Sequence, residues 1–443
     1  MRVQVFKTWD RVHSSFWFLP ALMASGTILL AFATVALDTI ATDWITQNWG
    51  VTFNGGAEGA SALLGAIAGS MITIAGVVFS MTLVALSLAS SQLGPRLLRS
   101  FMRDTTTQVV LGTFVATFLY CLLVLRTIRH TEELVFVPHL SVSVGVLLAV
   151  VSVGVLIFFI HHVSVSIQAN EIVARVGNEL IAELGELFPG NIGQAGPRTP
   201  IKPPDTDFLD RCSREAQPID SAQDGYLQFV DGEALMALAV QENLVIELIK
   251  RPGHYIIASR PLARIWPGHK VTEQMIERVN AAFALGNQRT SGQDIEFAVN
   301  QLVEIAVRAL SPGINDPFTA MTCVDRLGSA LCRLAQQEMP SPYRHDNQDQ
   351  LRIITPVFTF PDITDAAFNQ IRQYSRSSAA VTIRLLETLA EIARSVQRPE
   401  DGNALLRHAN MIVSGISALP GDEDRQAAKE RYQSITLLLS ESS

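Results

Sequence analysis

The sequence predicts an α-helical membrane protein, with four transmembrane helices followed by a cytosolic α+β domain that is mostly helical and includes a small β-rich subdomain. Three observations lead to this fold class. Only 17% of the 443 residues are charged, against a usual share of about 25%. The shortage is local, because four apolar segments before residue 161 contain almost no charge. The chain is also long enough for more than one structural unit.

The four apolar segments meet or nearly meet the length of about 20 residues that a helix needs to cross a bilayer. They are predicted at residues 16–37, 60–93, 108–125 and 140–160, within a transmembrane domain at 1–162. The first segment is too long for a signal-peptide core, and further hydrophobic segments follow it. It is therefore interpreted as an anchor.

The basic residues of the short loops predict the orientation. The N-terminal arm and the loop after the second segment are basic, whereas the loop between the first two segments has Asp38, Asp43 and Glu58 and no Lys or Arg. Cytoplasmic loops carry the excess of Lys and Arg. The N-terminus and the C-terminal domain are therefore both expected in the cytoplasm.

Beyond the fourth segment, the pattern predicts four further parts. Helical spacing continues over 163–189 and predicts a helical stalk. A Pro- and Gly-rich stretch at 190–206 is expected to be a linker. Alternating apolar residues predict a small β-rich subdomain at 207–270. Residues 271–443 are expected to form a helical subdomain, with one more strand at 352–360.

The second apolar segment carries the strongest functional candidate. Small residues recur in it at heptad spacing and form a stripe that only one large residue, Leu83, interrupts. In a bilayer such a stripe either packs closely against another helix or lines a path for solutes. Both hold if several copies of the helix surround an axis. The stripe consists of Gly69, Thr73, Gly76, Ser80, Leu83, Ser87 and Ser91.

Three arginines, Arg96, Arg99 and Arg103, follow the Gly94-Pro95 break at the predicted cytoplasmic end of this segment. If the stripe lines a pore, these arginines are expected to surround its inner mouth and to favour anions. Anchoring by the positive-inside rule also explains them.

Several function classes are disfavoured. No charged residue lies in the core of any predicted span, whereas coupled transporters and pumps usually place one there. The net charge of −8 argues against a nucleic-acid partner. The four cysteines form no Cys-x-x-Cys pair, and neither a metal site nor a cofactor is expected. No nucleotide-binding, zinc-protease or nucleophile-elbow motif is present, so no catalytic residue is assigned and no enzymatic activity is predicted.

The segment at 311–319, SPGINDPFT, predicts a tight corner between two helices, with Asp316 as N-cap and Pro317 in the first turn. In a functional interpretation, charged residues further upstream join Asn315 and Asp316 in a buried polar network. This network contacts another subunit or an effector, such as a small ion or small molecule. Both interpretations remain open. The candidates for this cytosolic polar site are Arg289, Asp294, Arg308, Asn315 and Asp316.

Four segments also carry a family resemblance. They are GVVFSMTLVALSLASSQLGPR at 76–96, FFIHHVSVSIQ at 158–168, RTSGQDIEFAVNQLVEIAVRALSPGINDPFTA at 289–320, and PVFTF from Pro356. They resemble the bacterial membrane-protein family catalogued as domain of unknown function 2254, over nearly the whole chain. The sequence departs at His254-Tyr255, where similar sequences more often read Asp-Phe. The resemblance implies a multi-pass protein of the bacterial inner membrane and supplies no established activity.

These observations favour a homo-oligomeric, passive, channel-like pore that is lined by the second transmembrane helix and regulated by the cytosolic domain. The alternative is a membrane-tethered scaffold or signalling protein without a permeation path. In that case the stripe only packs against other helices, and the region at 289–319 binds a partner or ligand.

Overall fold

The computed structural model describes residues 16–48, 56–94, 104–131, 134–166, 168–187 and 205–441. The described residues form two compact units, which divide between Gln168 and Ala169. They are called the N-terminal unit and the C-terminal unit below. Most of the predicted linker at 190–206 lies outside the described residues.

The N-terminal unit contains four long helices, each long and apolar enough to cross a membrane. A short antiparallel hairpin of β1 (Arg129–Thr131) and β2 (Leu134–Phe136) lies between the last two. The structure therefore has the four candidate spans that the sequence predicts. The helices are α1 (Phe18–Asn48), α2 (Ala57–Leu93), α3 (Thr105–Leu125) and α4 (His139–Ser166).

Helix α3 is central to this unit, because it contacts each of the other three helices. Glycines allow two close approaches between helices. A Cβ at Gly112 of α3 would lie 2.5 Å from the sulfur of Met23 on α1. A Cβ at Gly145 of α4 would lie 2.9 Å from a methyl carbon of Leu64 on α2. Small residues thus bring these helices together, as is common in membranes.

Buried polar groups tie three helices together near one end of the unit. Asp38 of α1 is 3% exposed and accepts hydrogen bonds from the backbone N–H groups of Leu140 and Ser141, each at 2.9 Å. The Tyr120 hydroxyl of α3 donates to the carbonyl oxygen of Ser141 at 3.1 Å and lies 3.0 Å from the hydroxyl of Thr34. Asp38 is therefore not a loop residue, because α1 continues beyond the predicted end at residue 37.

The C-terminal unit is mostly helical. Its helices are α5 (Ala169–Leu187), α6 (Thr206–Glu215), α7 (Gly232–Gln241), α8 (Glu273–Ala281), α9 (Ile295–Ala309), α10 (Pro317–Ala335), α11 (Phe360–Tyr374), α12 (Ala379–Ala393), α13 (Pro399–Val413) and α14 (Asp422–Glu441). Its strands are β3 (Gln217–Asp220), β4 (Gly225–Val230), β5 (Val245–Leu248), β6 (Tyr255–Ile256), β7 (Pro261–Trp266), β8 (Phe283–Gly286), β9 (Tyr343–His345) and β10 (Leu351–Ile354).

The strands form two sheets. One has the order β3-β7-β5-β10-β9, in which only the β5–β10 pair is parallel, and the other has the antiparallel order β6-β4-β8. Strands β8, β9 and β10 come from residues beyond the predicted β-rich limit of 207–270. The apolar run of β8 pairs with β4 far away in the sequence, and such pairing is decided by tertiary contacts. The strand expected at 352–360 ends at Ile354.

Helix α5 differs from the expected stalk at 163–189. Helix α4 ends at Ser166, and α5 begins at Ala169 within the C-terminal unit. The apolar face of α5 is buried, including Val173, Val176 and Leu180, and α5 packs against α9 and α10. From Ala169 onward this segment is thus part of a hydrophobic core. Helical periodicity alone does not distinguish a stalk from a packed amphipathic helix.

Candidate functional site

Helix α2 has two different faces. The packed face contacts α3 and α4, and its members recur every three or four positions. At about 100° per residue, the centre of this face lies roughly 150° around the helix from the centre of the small-residue stripe. The packed face consists of Ala60, Leu64, Ala68, Met71, Ala75 and Val78.

The stripe itself lies on the exposed side of α2. All seven of its residues, from Gly69 to Ser91, are exposed. At Gly69 and Gly76, an added Cβ would meet no atom within 4 Å. Within the described part of the chain, the stripe therefore packs against no other helix. Helix packing in this protein uses the opposite face, and the stripe is available to a second molecule, to lipid or to water.

The hydroxyl groups of the stripe differ in their hydrogen bonding. Thr73 donates to the carbonyl oxygen of Gly69 at 2.8 Å, and Ser91 donates to that of Leu88 at 2.9 Å. Such bonds occupy the hydroxyl proton and leave oxygen lone pairs facing outward. The hydroxyls of Ser80 and Ser87 have no hydrogen-bond partner among the described residues. A hydroxyl without a partner is unfavourable in hydrocarbon, which favours water or a polar neighbour at the stripe.

Large apolar side chains border the stripe. Leu83 lies in line with the small residues and is 49% exposed. Phe79 is exposed on one side of the stripe, and Val77 and Val84 are exposed on the other. The surface of α2 thus has a shallow strip of small residues between ridges of large ones, with Leu83 as a single projection into it.

The arginines assigned to an inner mouth, Arg96, Arg99 and Arg103, lie outside the described residues, and their role stays a prediction. The residue that follows Arg103 in the sequence, Asp104, is the N-cap of α3 and accepts a hydrogen bond from the backbone N–H of Thr106 at 3.1 Å. Its other carboxylate oxygen lies 3.0 Å from Nε2 of His162. Sequence reasoning missed this contact, because the two residues are far apart in the chain.

In the C-terminal unit, the structure brings two of the predicted polar residues together. Arg289 donates from Nε and Nη2 to the two carboxylate oxygens of Asp294, at 2.6 and 2.7 Å. Asp294 is 1% exposed, so this is a buried bidentate ion pair. Arg289 also contacts Glu296, whose other oxygen accepts a bond of 2.6 Å from Arg251.

Arg251 extends this network to the start of α11. Its guanidinium lies 4.1 Å from the ring centroid of Phe358 and 3.5 Å from the carboxylate of Asp362. Gly253 then places its backbone directly against Asp294, since an added Cβ would lie 2.3 Å from the carboxylate. Burial and the neighbouring Arg251 lower the pKa of His254. This histidine is one of the two residues at which the sequence departs from the family that it resembles. The Arg251–Glu296 ion pair and the close approach of Gly253 to Asp294 hold the loop after β5 against the start of α9.

The five predicted polar residues do not form one network. Arg289 and Asp294 lie at the start of α9, whereas Arg308 is in its last turn and Asn315 and Asp316 follow it. The helix has 15 residues and is therefore roughly 20 Å long. The expectation of a single site failed because a rigid helix separates its parts. The charges at the start of α9 pair with one another, and this arrangement serves to join segments of the unit.

The corner between α9 and α10 has the predicted local structure. The Asp316 carboxylate accepts a hydrogen bond from the backbone N–H of Thr319 at 3.1 Å, and Pro317 lies in the first turn of α10. Asn315 adopts a left-handed backbone conformation with φ of 50°. The corner exposes two apolar side chains, Ile314 at 41% and Phe318 at 76%. Among the described residues, no three His, Cys, Asp or Glu side chains are placed to hold a metal ion.

Comparison with known proteins agrees with the helices described above. The sequence profile of the family described as "Predicted membrane protein (DUF2254)" matches residues 13–391. Uncharacterised proteins of Mycobacterium bovis and Mycobacterium tuberculosis are 32% identical over 385 residues, which cover 85% of this chain and 71% of theirs. No solved structure matches the chain. The chain therefore belongs to the DUF2254 family of predicted membrane proteins.

Proposed function

We propose that this membrane protein is a homo-oligomeric passive pore in which copies of α2 surround a common axis. The observation that carries the proposal is that the small-residue stripe is exposed on a helix whose opposite face is already packed against α3 and α4. One face of α2 is thus used within the chain, and the stripe is left for contact between chains.

The chemistry of the stripe favours a shared axis over contact with lipid. Small residues let helix backbones approach each other closely in a bilayer, where packing and hydrogen bonds drive association. Hydrocarbon offers no partner to the hydroxyls of Ser80 and Ser87. Around an axis, these hydroxyls face one another or water, and the outward lone pairs of Thr73 are able to contact a hydrated solute.

Leu83 forms the narrow point of the proposed path. It is the one large side chain in the stripe, and a ring of leucines excludes water from a narrow pore. Helix α2 contains no charged residue between Gly69 and Ser91. The path therefore has no obvious group for coupling to protons or sodium, which favours passive permeation.

The proposal also covers the membrane in which the protein lies and its orientation there. We place the protein in the bacterial inner membrane, with the N-terminus and the C-terminal unit in the cytoplasm, on the basis of the positive-inside pattern. Arg96, Arg99 and Arg103 would then surround the inner mouth and favour anions. The C-terminal unit would regulate opening, and no chemical reaction is assigned to it.

Planar-bilayer recording of the purified protein tests the proposal. We expect discrete conductance from the wild type and a larger conductance from Leu83→Ser, because the substitution replaces an apolar ring with hydroxyls. The matched control is Val84→Ser, which changes an exposed apolar residue beside the stripe. Absence of conductance from both the wild type and Leu83→Ser would falsify the pore.

Cysteine labelling locates the path independently. Ser80→Cys and Ser87→Cys place thiols in the stripe. Ser70→Cys places a thiol at an exposed position of the same helix, about 100° around the helix from the stripe. A charged, water-soluble thiol reagent is expected to reduce conductance only for the two stripe variants. An equal reduction of conductance in all three variants, or a reduction in Ser70→Cys alone, contradicts a lining role.

The exposed corner between α9 and α10 favours a second candidate function. Ile314 and Phe318 expose apolar side chains at the SPGINDPF turn, and exposed aromatic residues are frequent at protein contacts. In that case the protein is a membrane-tethered scaffold that binds a partner through this corner and conducts nothing. Loss of partner binding in Phe318→Ser, together with no conductance from the purified wild type, supports this alternative.

A further inference from the structure

A small cleft in the C-terminal unit lies where α11 ends, α12 begins and α13 ends. Two arginines dominate it, and two hydroxyl side chains and a glycine complete its polar wall. Helix α13 also contacts α11 and α12 directly, so three packed elements form the cleft. Its lining includes Arg372, Ser375, Arg376, Thr382, Met411 and Gly415.

The two arginines have no counter-ion among the residues that the structure describes. Neither the Arg372 nor the Arg376 guanidinium makes an ion pair or a hydrogen bond with the described residues. Arg372 is half-buried, and its Nε is fully buried without a hydrogen-bond partner. Burial, and then the nearby charge of Arg376, lower the pKa of Arg372. A half-buried, unpaired cation beside a like charge is unfavourable unless an anion binds to it.

The neighbouring groups do not supply that anion. Asp365 is the carboxylate on α11 that faces α13, and its Oδ1 is already bonded to Arg407 and to Nε2 of His408, each at 2.7 Å. The Thr382 hydroxyl donates to the carbonyl oxygen of Ser375 at 3.0 Å and fixes the turn between α11 and α12. The turn therefore holds both arginines at the cleft while leaving their charges uncompensated.

We propose that this cleft binds a small oxyanion of the phosphate class, with Arg372 and Arg376 as its ligands. A guanidinium offers donors in a planar fork that matches phosphate oxygens, and two guanidinium groups suit a doubly charged group. The phosphate belongs either to a soluble compound or to a lipid headgroup. This binding site lies in the C-terminal unit and is independent of the pore proposed above.

The exposed end of the cleft makes the site accessible. Arg376 is exposed, so a phosphate reaches it from solvent and then contacts the half-buried Arg372. Gly415 has no side chain to fill the opposite wall, and its φ of −99° is available to any residue. A glycine is therefore not required there by backbone conformation, and it leaves that wall of the cleft without a side chain.

Thermal unfolding of the full-length protein in detergent tests the site with inorganic phosphate as the probe. Phosphate is compared with chloride at matched ionic strength. At one hundred times the dissociation constant, bound phosphate is expected to raise Tm by about 5 °C. Arg376→Gln and Arg372→Gln should each lose most of this shift. The control is Arg394→Gln, which removes an exposed arginine paired with exposed Glu391 on α12 and should keep the full shift.

The behaviour without phosphate separates binding from a structural role. Arg376→Gln should leave Tm unchanged or raise it, since the substitution removes a repulsive charge from an exposed position. A fall in Tm on this substitution, with the phosphate shift retained, overturns the proposal. Equal loss of the shift in Arg394→Gln also overturns it, because the effect is then a general response to ionic charge.

A second measurement distinguishes the two sources of phosphate. The protein is placed in nanodiscs of phosphatidylcholine alone or with phosphatidylglycerol added. A soluble ligand predicts the phosphate shift in both bilayers. A lipid ligand predicts a rise in Tm with phosphatidylglycerol that Arg372→Gln and Arg376→Gln abolish. If neither inorganic phosphate nor phosphatidylglycerol changes Tm in an arginine-dependent way, the cleft is not a phosphate site.

Discussion

The carboxylate of Asp38 accepts hydrogen bonds from both the backbone N–H and the hydroxyl of Ser141, at 2.9 and 2.6 Å. The two residues stand more than one hundred positions apart in the sequence. The contact joins α1 to the first turn of α4, and it supplies an acceptor for N–H groups that have no partner within the helix. The negative side chain also lies at the positive end of the α4 dipole. A buried acid on one candidate membrane-spanning helix thereby caps another.

Replacement of Asp38 by alanine should destabilise the N-terminal unit by about 2–3 kcal/mol. The substitution removes a helix cap and leaves buried donors of Ser141 and Leu140 without an acceptor. Unfolding of the full-length protein in detergent, followed by circular dichroism, measures this change. Glu58→Ala is the control, since Glu58 is an exposed acid in the first turn of α2. Similar losses in the two variants would show that the Asp38 cap contributes little.

A leucine at Gly76 should prevent assembly without unfolding the chain. An added Cβ at Gly76 meets no atom within 4 Å, so the larger side chain has room within one subunit but blocks close approach between stripes. The comparison is Gly112→Leu, whose Cβ would lie 2.5 Å from the sulfur of Met23 and should cost about 3 kcal/mol of stability. Light scattering and thermal unfolding in detergent separate the two effects. An unchanged oligomer in Gly76→Leu contradicts assembly through the stripe.

Alanine at Gly253 should weaken the C-terminal unit by about 3 kcal/mol. Gly253 has φ of 93°, and an added Cβ would lie 2.3 Å from the Asp294 carboxylate, which it would displace from Arg289. Gly313→Ala is the matched control, because a Cβ at that exposed position meets nothing within 4 Å. Denaturant unfolding of both variants checks the difference. Equal stability of the two would mean that the buried ion pair tolerates displacement.

Acidification should destabilise the C-terminal unit through His408. Burial lowers the pKa of this fully buried histidine, and Asp365 offsets the shift only in part. Arg407 and Arg372 are the neighbouring cations, and both lower the pKa further. The unfolded chain therefore binds a proton at a higher pH than the folded chain does. The stabilising contribution is complete above the unfolded pKa of about 6.5 and is lost as pH falls through the lower folded value.

His408→Gln provides the measurement of that pH dependence. Glutamine keeps a donor for Asp365 and does not titrate. Between pH 7 and pH 5, the free energy of unfolding of the wild type should fall more steeply than that of the variant, by at most about 1.4 kcal/mol per pH unit. Thermal or urea unfolding at several pH values gives both slopes. Parallel slopes would exclude His408 as the responsible group.

Local sequence patterns predicted much of the fold and part of the candidate site. Apolar length predicted four membrane helices, and heptad spacing predicted that Gly69 to Ser91 form one face. The SPGINDPF segment predicted the Asp316 cap and the position of Pro317. Each of these features depends on residues within a few turns of one another. Backbone sterics, capping and hydrophobic periodicity act over that range, so a single sequence is sufficient to recognise them.

The remaining features depended on contacts between distant segments. The Arg251–Glu296 pair, the Asp104–His162 contact and the pairing of β8 with β4 join residues 45 or more positions apart. The same holds for the burial of α5, whose amphipathic pattern is equally typical of a stalk. In the sequence, Arg251 is distinguished only by the Pro252-Gly253 turn that follows it. Many alternative pairings satisfy such local patterns, and the total burial of the folded chain selects among them.

By itself, the sequence determined that α2 carries a face of small and hydroxylated residues that one large residue, Leu83, interrupts. Only the tertiary structure decided that this face is exposed, because the series from Ala60 to Val78 on the other side fills the contacts with α3 and α4. Periodicity shows which residues share a side of a helix, since that follows from helix geometry alone. Which side becomes buried depends on the shapes of the neighbouring helices, and those come from elsewhere in the chain.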